Sequence, residues 1–132
     1  MRVNYLSKKE TSTLANRIRS LYWGDRLRGK IRTAIEVREN GIKLYRIGEL
    51  IIGEIDDKLY PVIHERNQDV LNELPAIIVD MGAVPHIVNG ADVMRPGVRD
   101  FRGEFNEGDL VVIRDERNLK PLAVAIALVR LE

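Results

Sequence analysis

The sequence predicts an α+β protein in two parts. Three observations carry that prediction. Residues 7–22 place apolar side chains at helical spacing behind a capping box. Residues 31–63 read as short strands joined by tight turns. After Pro75 a strand, a short apolar helix and a hairpin follow one another. At 132 residues, one domain is the default and two small ones are possible.

In Ser7-Lys-Lys-Glu10, the serine hydroxyl accepts from the N–H three residues on, and the glutamate reaches back. Leu14, Ile18, Leu21 and Tyr22 make one apolar stripe, with Arg17 and Arg19 off it. Trp23-Gly24-Asp25 is expected to end this helix, with Gly24 in the left-handed position. Tyr22 and Trp23 are expected in the core rather than stacked on a base.

A strand over residues 31–37 would turn Ile31, Thr33, Ile35 and Val37 to one side. Asn40-Gly41 is the strongest short hairpin signal, and residues 42–47 are the return strand. Residues 50–55 follow, then a tight turn at Asp56-Asp57 and a strand over 58–63. Pro61 puts that last strand at an edge. A short helix covers residues 68–73. Pro75 divides the chain into 1–74 and 75–132. The second part opens with a strand at 76–80 and a short helix holding Pro85 in its first turn and Gly90 as its cap. Residues 110–113 and 122–129 form a hairpin across Arg114 to Asn118, whose charges are expected in exposed ion pairs.

Apolar residues make up 45 % of the chain, and no apolar run is long enough to span a bilayer. No signal-peptide core is present, so a cytoplasmic protein with no membrane partner is expected. The absence of cysteine excludes disulfides, thiolate metal sites and a cysteine nucleophile. His64 and His86 are the two histidines, without metal-ligand spacing, and no phosphate loop occurs. The expectation is therefore a non-enzyme, with no catalytic residues, no metal and no cofactor. Net charge is +1, but residues 1–32 carry nine basic and two acidic side chains. That asymmetry points to a polyanionic partner.

The densest motif runs from Val79 to Val98. It contains Val79-Asp80, Gly82-Ala83, Asn89-Gly90-Ala91 and Met94-Arg95-Pro96-Gly97. Glycine serves where a backbone turns sharply or approaches another surface closely. The peptide groups flanking the short helix are expected to lie bare. With Gly108-Asp109 and Lys120 to Val124, this pattern resembles the PUA domain, an RNA-binding module of pseudouridine synthases and archaeosine transglycosylases. The resemblance implies a pseudo-barrel with a mixed sheet and short helices. It implies RNA contacts at Gly82, Ala83, His86, Asn89, Gly90 and Ala91, and phosphate contacts at Arg95, Arg99 and Arg102. Asp92 is read as a loop stabiliser. Lys8, Lys9 and Arg17 are expected to form a second, basic RNA surface.

The first part resembles the pre-PUA domain of stand-alone archaeal PUA proteins. Their eukaryotic relatives are the malignant T-cell-amplified-sequence and ligatin translation factors. This implies an N-terminal pre-PUA α/β domain and a non-catalytic role in translation, on tRNA or small-subunit rRNA. The partners would be structured RNA, the small ribosomal subunit or a translation factor. Two other readings stand beside it: an RNA-targeting accessory of a tRNA-modifying enzyme such as a tRNA-guanine transglycosylase, and a protein–protein adaptor. The family's module continues past the strand at 123–129, so the PUA part is expected to be truncated at its C-terminus, with an unpaired edge.

Overall fold

The structure is a computed structural model, and it describes residues 1–88, 93 and 95–128, with the side chain of Arg95 set aside. The chain forms two compact units, Met1–Val70 and Leu71–Glu132. The division falls ahead of the expected boundary at Pro75.

In the first unit, β1 (Arg2–Tyr5) precedes α1 (Lys8–Arg19). Then come β2 (Ala34–Glu39), β3 (Ile42–Ile47), β4 (Leu50–Ile55) and β5 (Lys58–Pro61). They form one antiparallel five-stranded sheet in the order β1-β2-β3-β4-β5. Pro61 lies on an edge strand, as its missing N–H requires. Asn40 and Gly41, and Asp56 and Asp57, all have positive φ, between 50° and 79°. That geometry matches the twist of paired strands, so both turns close tightly.

The register puts Ala34, Glu36, Tyr45, Ile47, Leu50, Ile52, Glu54 and Leu59 on one face, and all eight are buried. The buried stripe of α1 is Thr11, Leu14, Ala15 and Ile18. Arg17 of α1 bonds Glu54 on β4, which places the helix over that face.

Several expectations are corrected here. The strand before the Asn-Gly turn begins at Ala34, not at residue 31; Ile35 and Val37 do share a side, and the buried face is the other one, that of Ala34 and Glu36. Alternation fixes which residues share a face, but not which face is covered. Glu36 tolerates burial because Arg38 Nε donates to it. The helix stops at Arg19, so Tyr22 lies beyond it and is 63 % exposed, whereas Trp23 is in the core. Gly24 is not left-handed; a Cβ there would lie 1.8 Å from the Ile18 carbonyl oxygen. Its role is close approach. The strand β1, with two apolar residues and no buried face, is held by its ladder to β2.

A 3₁₀ turn (Glu65–Asn67) and α2 (Gln68–Glu73) lead to the second unit. There β6 (Ala76–Val79), α3 (Val84–Val88), a 3₁₀ turn (Arg95–Gly97), β7 (Val98–Arg102), β8 (Leu110–Asp115) and β9 (Pro121–Ile126) follow. The order is β7-β6-β8-β9, with β6 and β8 parallel and the other pairs antiparallel. This is the mixed sheet with short helices that was expected. Val79, Ile87 and Ile113 form one core cluster, and Phe105, Val111 and Ala127 another. The strand β7 has the pattern Val-Arg-Asp-Phe-Arg, which carries little strand signal; it forms by pairing with β6. Gly90 and Asp92, and the residues from Val129 onward, lie outside the described residues. Among the described residues, no helix is long and apolar enough to cross a membrane.

Candidate nucleic-acid interface

Asp80 follows β6 and builds the corner at which α3 begins. Its Oδ1 accepts from the Ala83 N–H at 2.8 Å, an Asx-type turn that starts the helix. The Asp80 N–H donates to the Gly97 carbonyl at 3.0 Å, tying in the 3₁₀ turn. Pro85 sits in the first turn of α3, where no N–H is needed. Ile87 plugs the helix into the core beside Val79 and Ile113. The outer surface of the corner is Gly82, Pro85, His86 and Val88, all exposed, with Ala83 half-buried.

The peptide N–H groups are less bare than the glycine pattern suggested. The Met81 N–H donates to Glu116 Oε1 at 3.4 Å, and the Ala83 N–H is held by Asp80. Gly82 remains an exposed point of close approach, with no Cβ to hold a ligand away. Arg99, on β7, faces two carboxylates, at 3.9 Å from Asp80 Oδ2 and 3.5 Å from Glu116 Oε2. Its charge is balanced locally. Arg102 is exposed at the end of β7, opposite Ala76 in the register. Asn89, Gly90 and Ala91 lie outside the described residues, as does the side chain of Arg95.

In the hairpin after β8, Glu116 forms an exposed ion pair with Arg99, but Arg114 and Asp115 do not follow the expectation. Arg114 donates to the Leu119 carbonyl at 2.8 Å and to Asn72 Oδ1 at 3.1 Å. Burial, and then repulsion from Arg102, lower its pKa. Asp115 is buried and accepts from the N–H groups of Arg117, Asn118 and Lys120 at 2.9, 2.6 and 3.2 Å. The Asn118 bond leads in holding its carboxyl below the usual range.

On the first unit, Lys8 and Lys9 are exposed in the first turn of α1. Arg17 does not join them as a free cation. Its Nη2 donates to Glu54 Oε2 at 2.8 Å and to the Asp57 carbonyl at 3.2 Å. Tyr45 donates its hydroxyl to Glu54 Oε1 at 2.7 Å. Burial opposes the Glu54 charge, but the bonds from Tyr45 and Arg17 outweigh it, and its pKa is lowered. The Tyr45 hydroxyl is pushed up, by burial first and by Glu54 second.

Sequence reasoning missed Asp80 and Glu116 as the groups that shape the corner. An aspartate after a strand, with a glycine two residues on, is the signal that points to the first. Glu116 arrives from a distant hairpin and has no local signal. Among the described residues, no cluster of side chains could hold a metal ion.

The family model of the PUA domain matches residues 75–132. An uncharacterized protein of Methanocaldococcus jannaschii is 41 % identical over 76 residues, which is 55 % of this chain and 44 % of that protein. The glutamate 5-kinase of Idiomarina loihiensis is 28 % identical over 116 residues, 76 % of this chain and 31 % of that protein. The chain thus spans less than half the length of either curated relative. A hypothetical protein of Pyrococcus horikoshii has a similar structure, with TM-score 0.70 and 26 % identity over 97 % of this chain and 83 % of that one. A conserved PUA domain protein of Thermoplasma acidophilum gives TM-score 0.63 at 23 % identity, covering 97 % of this chain and 81 % of that one. A PUA domain of Aeropyrum pernix, solved as its tartrate complex, gives 0.67 at 23 %, covering 98 % and 74 %. PUA domains are generally RNA-binding. Family match, mixed sheet and glycine corner agree: the PUA domain family model fits residues 75–132 of this chain.

Proposed function

We propose that this protein is a non-catalytic RNA-binding protein of the cytoplasm, acting in translation on tRNA or small-subunit rRNA. Its first unit would be the pre-PUA domain of the archaeal proteins it resembles, and its partners the small ribosomal subunit or a translation factor. One observation carries the reading: the α3 corner stands open at Gly82, Pro85 and His86 within a segment that matches an RNA-binding family. Arg99 is neutralised, so recognition there draws on shape and hydrogen bonds more than on phosphate attraction. A shallow A-form minor groove with its 2′-hydroxyls suits such a surface.

The test is fluorescence anisotropy with labelled tRNA and small-subunit rRNA fragments. Gly82→Leu should weaken binding about tenfold, near 1.4 kcal/mol, by holding the backbone away. A Cβ at this position meets only Asp80 Oδ1, at 3.2 Å, so the urea midpoint should hardly move. Unchanged affinity in that variant removes the corner from the interface. The carboxylates around Arg99 favour a second reading, a protein–protein adaptor. Co-purification with small ribosomal subunits supports the first reading; RNA-free co-purification with one protein supports the second. A tRNA-modifying enzyme as that protein would make the chain its RNA-targeting accessory.

A further inference from the structure

Between the Gly24–Arg26 turn and β2, the chain reads Leu27-Arg-Gly-Lys-Ile-Arg-Thr33. It carries three cations in five residues and no acidic group. The structure makes this segment a strap rather than a loose loop. Leu27 is buried and Ile31 half-buried. Their side chains pack on the β3–β4 turn, where a Cβ on Gly48 would lie 2.9 Å from Leu27 Cδ1 and 3.3 Å from Ile31 Cδ1. Arg19 clips the strap from α1, donating from Nε to the Leu27 carbonyl at 2.8 Å and from Nη2 to the Gly29 carbonyl. Gly29 has φ +76°, which lets the chain turn between the clips.

The anchors leave Arg28, Lys30 and Arg32 exposed. No ion pair engages any of the three among the described residues. The strap runs on into β2, and the face of the sheet away from α1 carries a further cation and an aromatic ring near that entry. Arg46 is exposed there, paired through the register with Ile35, and Tyr5 lies beyond Ile35, 73 % exposed. The nearby Glu49 is occupied by Arg66 at 3.3 Å. A row of unpaired cations on a fixed backbone, leading into a strand whose register partners include an exposed aromatic ring, has the chemistry of a single-stranded nucleic-acid contact.

We propose that the strap and this sheet corner bind single-stranded RNA, with Arg28, Lys30, Arg32 and Arg46 meeting phosphates and Tyr5 stacking on a base. This rests on the RNA-binding reading above and adds a second contact site on the first unit. Arg19 is a positioning residue for it.

The probe is a labelled mixed-sequence oligoribonucleotide, with a duplex RNA for comparison, titrated against the full chain at rising KCl. Replacing all three strap cations (Arg28→Gln, Lys30→Gln, Arg32→Gln) should lower the slope of log K against log salt by about 2, at roughly 0.7 per lost phosphate contact on a single strand. Tyr5→Ile should weaken the single strand about tenfold and the duplex far less, because stacking needs an unpaired base. Arg19→Lys keeps the charge but loses the two-point clip, and should weaken binding several-fold with the slope unchanged. Far-UV circular dichroism and urea midpoints establish that each variant is folded. Wild-type binding with an unchanged slope in the triple variant overturns the strap site while leaving the corner at Gly82 untouched. Equal losses on both probes in Tyr5→Ile overturn the stacking contact, and normal affinity in Arg19→Lys overturns the clip. A wild-type protein that binds neither probe nor tRNA overturns both this inference and the function it rests on.

Discussion

Gly24 shows how much one missing Cβ decides. A methyl group there would lie 1.8 Å from the Ile18 carbonyl oxygen and 2.6 Å from its carbon, both backbone atoms that cannot rotate away. Gly24→Ala should cost about 3 kcal/mol, at the upper end for overpacking, read as a drop in the urea midpoint. Gly53→Ala meets the Tyr60 side chain first, at 2.4 Å, and a side chain can lift away, so its cost should be smaller. Tyr45→Phe removes a buried hydrogen bond to a charged group and should cost about 2 kcal/mol. Glu54 adds a pH dependence. Its folded pKa lies below the unfolded value, so the unfolded chain holds more protons and stability falls as pH drops below about 4.5. Glu54→Gln should flatten that acid limb in urea titrations across pH, and an unaltered limb would show that the Arg17 and Tyr45 bonds do not favour the charge.

At the scale of elements, Asn67 ties the start of α2 to the sheet. It is fully buried, accepts from the Ile51 N–H at 3.0 Å, and donates to the carbonyls of Ile51 and Val62 at 2.7 and 2.8 Å. Removing it strands several backbone groups where water has no access. Asn67→Ala should therefore cost about 3 kcal/mol, well beyond a surface change, by urea unfolding. The polar sequence around it gives no sign of this burial. The elements that were legible carry local signals. Residues 42–47, 50–55 and 68–73 were bounded correctly because turn pairs and apolar periodicity mark their ends. The strands β1 and β7 were not legible, since each is made by a ladder to a partner distant in sequence. Which face of β2 is buried is likewise a long-range fact, decided by the helix that covers it.

For the whole molecule, the two proposed contacts lie on separate compact units. Their effects on binding one RNA should add. Combining Gly82→Leu with the triple strap substitution should give the sum of the separate losses within about 0.5 kcal/mol, measured by anisotropy. A shortfall well beyond that would mean that the two sites do not engage one RNA at once.

The sequence by itself determined the α+β class, the tight turns, the α1 capping box, the PUA pattern and the concentration of basic charge toward the start. All of these are read along the chain, without knowing which distant segments meet. Only the tertiary structure decided which cations stay available. Arg17, Arg19 and Arg99 each point at a carboxylate or carbonyl brought in from another element, while Arg28, Lys30 and Arg32 are held outward by buried neighbours. The reason is electrostatic: the charge a side chain shows to a ligand depends on its nearest counter-group, and folding chooses that group.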